Sequence, residues 1–237
     1  MYLASPKMFL DKADCTNPMR YDLATAQDRY NICHRQAIRM GMKRWRAHDY
    51  AKHHSKNFPF SDIDKLKQFQ EEHFADLHER LGVLSLTADC CNMKMCEEYG
   101  DHHKGICVGL DRRILFDEKY IGGGGEVAYS KQLPTILPAD SMQTELVKLV
   151  LFKKEEYEYE KEYRTFKLWP HHASKEDRIR ILPVECFKEV IFGALVDGDT
   201  ISEICKICSD QGMKVAFYKH RVDTPGNVTK DLLPNIK

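Results

Sequence analysis

Hydrophobic positions along the chain change period several times, and each change marks a change of element. Tyr2-Leu3-Ala4 reads as a short strand entering the proline turn of Ser5-Pro6-Lys7. From about residue 17 to residue 81 the spacing is helical, with Tyr21, Leu23, Tyr30, Ile32 and Ile38 on one stripe and Pro18 at a first helical position. Gly41 and the Asn57-Phe58-Pro59 turn interrupt this region. A further helix from Ser61-Asp62-Ile63-Asp64 carries Leu66, Phe69, Phe74, Leu77 and Leu81 to a stop at Gly82. The spacing therefore predicts a helical insert over about 17–81.

Beyond the insert, period-2 and continuous apolar runs predict strands at 83–87, 104–111, 126–129, 178–182, 189–194 and 214–218. Helices are expected over 90–99 (ending at Gly100), 140–154 and 200–211, the last ending at Gly212. Gly122 to Gly125 lacks the features of a phosphate loop and reads as a flexible hairpin connection. Such a mixture predicts an α+β fold, a central mixed or antiparallel sheet with an N-terminal helical insert, in one domain over 1–237.

The most informative stretch is Tyr157-Glu158-Tyr159-Glu160-Lys161-Glu162-Tyr163-Arg164, whose alternation predicts a strand. On a strand, Glu158, Glu160, Glu162 and Arg164 share one face, where neighbouring like charges raise one carboxyl pKa unless Arg164 offsets them. That is one way to prepare a general acid or base. A charged edge strand that resists aggregation gives the same pattern.

Composition narrows the field. At 237 residues and 43% hydrophobic, with 36 basic and 36 acidic side chains, the chain can bury a sizeable core and carries no net charge to steer it to nucleic acid. One local basic and aromatic run, Lys43 to His54 around Trp45, suits phosphates or bases, or equally a solvated helix face. No apolar run reaches the roughly 18 residues of a membrane span and no signal-peptide pattern opens the chain, so the expectation is a cytoplasmic protein without membrane contact. Nine cysteines without a disulfide framework are expected to be reduced thiols. Cys90, Cys91, Cys96, His102, His103 and Cys107 cluster without the two close pairs of a structural zinc site, so no metal ligand set is assigned. Cys205 and Cys208 read with Ile201 and Ile204 as a buried helix face.

Six short pieces, in order, carry a resemblance. They are Ser5, Pro6, Phe9 and Asp11; Ser85; Met95 and Tyr99; His103-Lys104-Gly105-Ile106; Tyr159 to Arg164; and Val190 to Gly193. Together they resemble the bacterial domain-of-unknown-function 2971 family over nearly the whole chain outside the insert. Leu10, Lys12 and Cys96 depart from its pattern. The family's opening strand has no counterpart here, which leaves either an atypical member or an upstream start. The resemblance implies no settled activity, and a toxin or phage-defence setting is compatible with it.

Function therefore rests on Glu160, Glu162, Arg164 and His103 as candidate catalytic residues, with Tyr99, Lys104 and Ser85 as candidate substrate-binding residues. The first reading is an ADP-ribosyltransferase-like enzyme using NAD. There Glu162 or Glu160 stabilises an oxocarbenium-like transition state, Tyr99 stacks on nicotinamide, and His103, Lys104 and Arg164 hold phosphates. The second is a metal-assisted hydrolase or nuclease with Glu158, Glu160, Glu162 and His103 around a divalent ion. The third is a non-catalytic binding or regulatory module in which Arg164 and Glu160 fix the sheet by ion pairing. A small molecule or nucleotide is the expected partner; the oligomeric state is left open.

Overall fold

The structure is a computed structural model, and it describes residues 1–56, 62–117, 123–224 and 226–234. Asn57-Phe58-Pro59, Ser61 and Gly122 lie outside the described residues. The architecture is α+β, with a helical insert ahead of mixed and antiparallel sheets.

The insert holds α1 (Ala26–Arg39), α2 (Arg44–His54) and α3 (Ile63–Arg80). No helix starts at Pro18. Instead α1 begins after Thr25, whose hydroxyl accepts from Asp28 N while the Asp28 carboxylate accepts from Thr25 N, a reciprocal cap. Helix α2 meets α1 through Ala47 and Ala51, both fully buried, and leaves Trp45 and its basic neighbours in solvent. Helix α3 does not stop at Gly82. It ends at Arg80 and runs directly into strand β1 (Leu81–Thr87), because the buried Arg178 guanidinium donates to the His78, Glu79 and Leu81 carbonyls that no longer have helical partners. Gly82 serves packing instead: a Cβ there would come within 2.7 Å of the Trp169 ring.

The rest of the chain contributes α4 (Met93–Glu98), β2 (Ile106–Leu110), α5 (Arg112–Leu115), β3 (Gly123–Glu126), β4 (Ala128–Ser130), α6 (Met142–Val150), β5 (Phe152–Lys154), β6 (Glu162–Leu168), β7 (Phe187–Phe192), α7 (Gly198–Asp210), β8 (Ala216–Thr224) and β9 (Asn227–Leu232). One antiparallel sheet has the order β1-β6-β3. A second has the order β2-β7-β8-β9, with β7 and β8 parallel, and a parallel pair joins β4 to β5. Helix α7 makes the crossover between β7 and β8, as parallel neighbours require. Its Cys205 and Cys208 pack with Val190, Phe192 and Val196, the buried helix face expected of them.

Four expectations change. Residues 178–182 form no strand; only Ile179 bridges to Tyr2. The predicted helix over 140–154 ends at Val150, and Phe152 to Lys154 extend as β5. Gly123 to Gly125 are strand, not hairpin: they sit opposite Phe166, Thr165 and Arg164 of β6, so close that a Cβ on Gly124 would lie 2.6 Å from the Arg164 carbonyl. Beyond β8 a further strand, β9, closes the second sheet. The larger core lies between the first sheet and the helices, around Leu77, Leu81, Val83, Ile136, Leu149, Val150 and Phe166. Each such side chain contributes about 1.5–3 kcal/mol by leaving water.

Candidate functional site

The stretch expected to be one strand is two elements. Glu155 to Glu160 form a 3-10 helix, Lys161 turns the chain with φ +45°, and β6 starts at Glu162. The left-handed Lys161 joins the 3-10 helix to the strand, and Glu160 and Glu162 on either side of it are both buried. Glu158 is exposed and takes no part, so three carboxylates do not share a strand face. The register of β6 against β1 sets Ser85 opposite Arg164.

Five ionisable side chains, each at most 9% exposed, meet here: Asp14, Lys153, Glu160, Glu162 and Arg164. The Arg164 guanidinium donates to both Asp14 oxygens (2.9 and 2.6 Å), to both Glu162 oxygens and to the Val150 carbonyl. Lys153 donates to Glu160 and, at 3.0 Å, to Glu162 Oε1. Tyr99 closes the group by donating its phenol proton to Glu160 Oε1 at 3.0 Å, and the Tyr129 hydroxyl accepts from Glu162 N. Asp14 and Lys153 are site members that the pattern did not reveal. Asp14 lies in a turn 150 residues from its partner, and Lys153 was expected at the end of a helix.

With all five ionised the cluster would carry one excess negative charge, and Glu160 is where that excess is relieved. Burial, together with the Glu162 carboxylate beside it, pushes the Glu160 carboxyl up to about 7 against the pull of Lys153. Against the cost of burial, Arg164, the hydrogen bond from Glu160 and Lys153 hold Glu162 well below the usual carboxylate range. One proton is thus shared by the pair and sits on Glu160 near neutrality.

The cluster forms part of the wall of a cleft of about 1040 Å³ lying between the two larger sheets. Tyr2, Phe9, Tyr99, Phe116 and Tyr163 give it aromatic surface and Arg112 gives it positive charge, while Lys230 is paired with Glu189 at 2.6 Å. Its volume is at the upper end of the roughly 300–1,000 Å³ common for small-molecule sites. Ser85, Tyr99, His103, Glu160, Glu162 and Arg164 all line it. Lys104 does not: it is exposed on the turn after three consecutive left-handed residues, Asp101, His102 and His103. His103 is not hydrogen-bonded to the carboxylate pair. Its carbonyl accepts from Leu195 N and its Nδ1 has no partner, and it faces the end of the cleft that holds His220.

At that end, Cys90, Cys96, Cys107 and His220 line the cleft, with Cys91 next to Cys90. Burial and the neighbouring Cys90 thiol push Cys91 up to about 11, and burial raises Cys96 and Cys107 as well, so these thiols are not prepared as nucleophiles. All nine cysteines are free thiols, as expected from their spacing. Among the described residues no helix is long and apolar enough to cross a membrane. No family model matches the chain, and no curated protein and no solved structure matches it either.

Proposed function

We propose that the cleft is the active site of an enzyme acting on a nucleotide-like small molecule, with Glu160 as its acid–base group and NAD as the first substrate to test. The observation that carries the reading is Glu160 itself: a carboxyl on the cleft wall with a pKa of about 7, held in place by Tyr99 and Lys153. A group whose pKa matches the working pH is the most effective proton carrier, because both its forms are populated. Buried ion pairs also serve as scaffold, and the division of roles follows the contacts. Both Glu162 oxygens are taken by Arg164 and Lys153, and Arg164 is itself taken by Asp14 and Glu162. Those four residues form a frame; both Glu160 oxygens are engaged too, by Tyr99 and Lys153, and what sets this pair apart as the members to act on a ligand is the raised carboxyl of Glu160 and the exposed ring of Tyr99.

In an ADP-ribosyl transfer, Glu160 as carboxylate would accept the proton of the attacking nucleophile and hold the ribose as positive charge develops on it. Aromatic rings of the cleft, Tyr99 or Tyr163, offer stacking surface, and Arg112 offers charge for phosphates. The hydrolase reading is less well supported. Glu158 is exposed, and the two inward carboxylates already face two bases, which leaves little negative charge for a divalent ion.

The test is incubation of the full chain with NAD and a panel of nucleotides, with products resolved by chromatography and mass spectrometry. Release of nicotinamide by the wild type, and its loss in Glu160→Gln, is the expected result. Absence of turnover and of any ligand-induced thermal shift across the panel would overturn the proposal.

A further inference from the structure

Four metal-ligating side chains from three segments come together at the end of the cleft occupied by His220. Cys90 and Cys91 sit in the turn after β1, Cys96 in α4, and His220 in the middle of β8. Ligand atoms of Cys90, Cys91 and His220 all lie within 4.8 Å of one another. The Cys90 and Cys91 sulfurs are 3.7 Å apart, and Cys96 Sγ is 3.7 Å from His220 Nδ1. A tetrahedral zinc with bonds of about 2.3 Å to sulfur and about 2.0 Å to nitrogen has edges of about 3.8 Å between two sulfurs and about 3.6 Å between sulfur and nitrogen. The Cys90–Cys91 edge matches, whereas Cys96 meets the His220 ring at Nδ1, the nitrogen opposite the unpartnered Nε2, and so orients the ring. A disulfide would need sulfurs about 2.05 Å apart.

The local structure presets this geometry. Asp89 accepts from Cys91 N at 3.1 Å and is itself held by Lys161, which fixes the turn carrying the two thiols. Asn92 caps α4 and donates to the Tyr159 carbonyl, which fixes the helix carrying Cys96. His220 is 6% exposed, and its Nε2 has no hydrogen-bond partner. Buried polar nitrogens are as a rule partnered, so the site is incomplete from the side chains alone.

We propose that Cys90, Cys91 and His220, the last through its unpartnered Nε2, bind a thiophilic divalent cation, zinc, in the wall of the cleft. The ion would tie the turn after β1 to strand β8, and three protein ligands leave its fourth position to a water or to a ligand in the cleft. The site does not rest on the reading of Glu160. It escapes the usual spacing rule because one thiol pair is adjacent in sequence and the imidazole comes from a strand 124 residues beyond Cys96.

The test loads the full chain by dialysis against zinc, removes loose metal by desalting, and measures zinc per chain. The wild type and a Cys205→Ala control are expected to retain about one zinc, and His220→Gln and Cys91→Ala to retain it at least about tenfold more weakly. Because those variants could fail to fold, wild-type protein is also loaded with cobalt. A tetrahedral thiolate site gives intense visible ligand-field bands and slows alkylation of Cys90 and Cys91, mapped by mass spectrometry. Wild-type protein with no retained zinc and no cobalt bands would overturn the proposal. So would zinc content unchanged in His220→Gln, or a Cys90–Cys91 disulfide that persists in the presence of zinc.

Discussion

Replacing Glu160 by glutamine is expected to remove most of one pH dependence of stability. In the folded chain the Glu160 and Glu162 pair keeps one proton up to about pH 7, because Glu160 is raised to that value. In the unfolded chain both carboxyls release their protons around the ordinary 4.5. Above that value the folded state holds the extra proton, so wild-type stability falls as pH rises and levels off beyond about 7. The gap between about 7 and 4.5, at about 1.4 kcal/mol per pH unit, makes the loss about 3 kcal/mol. Glu162 acts in the opposite sense: its contribution is present above 4.5 and is lost only as pH falls toward its depressed value. Glutamine keeps only one of the two oxygens that accept from Tyr99 and Lys153, a loss that is the same at both ends of the pH window and cancels in the slope, and it does not titrate. Urea unfolding of both proteins between about pH 5 and about pH 8, compared at equal m-values, isolates the term. The buried histidines His78 and His220 titrate alike in both proteins and cancel in the difference. The wild type should lose about 3 kcal/mol more than the variant across that window. Curves parallel to within about 0.5 kcal/mol would refute the assignment of the raised carboxyl.

Three further outcomes follow from the same contacts. Arg164→Met leaves Asp14 and Glu162 buried with less opposing charge and should cost about 3–5 kcal/mol in urea unfolding, whereas a loss under about 1 kcal/mol would mean that the cluster is not a frame. Arg178→Met removes the guanidinium donors from the end of α3, leaving Ser5 Oγ on the His78 carbonyl and Ala173 N on that of Glu79, and should cost about 1–3 kcal/mol, with early exchange of amides near Leu81 read by hydrogen exchange. Gly193→Ala would place a Cβ 2.1 Å from the His103 carbonyl, a backbone atom that cannot swing aside, so thermal unfolding should register a loss of about 2–3 kcal/mol.

The elements legible from pattern are those whose burial is simple. The second half of β7, Val190-Ile191-Phe192, is continuously apolar and lies between two neighbours, and α7 shows an apolar face that the core then uses. Alternation misled at Tyr157 to Glu160 because a 3-10 turn also brings residues three apart onto one side, so Tyr157 and Glu160 lie on the inner side while Glu158 faces water. The turn at Lys161 gave no warning, since a lysine is not a usual left-handed residue. Glu160, Glu162, Arg164 and Tyr99 do meet, but on a backbone other than the single strand that the alternation predicts. Asp14 and Lys153 escaped because a cluster assembled from a turn, a short strand and β6 has no local period. His220 escaped likewise, lying in a strand expected to end at residue 218.

The account stands most directly on the protonation state of Glu160. Glutamate labelled with ¹³C at its side-chain carboxyl would be followed by NMR through the neutral range, in wild type and in Glu160→Gln. One carboxyl titrating near 7 in the wild type, and missing from the variant, is the predicted result. A spectrum in which no glutamate titrates above about pH 5.5 would contradict it, and Glu160 would then be one more fixed charge in the frame.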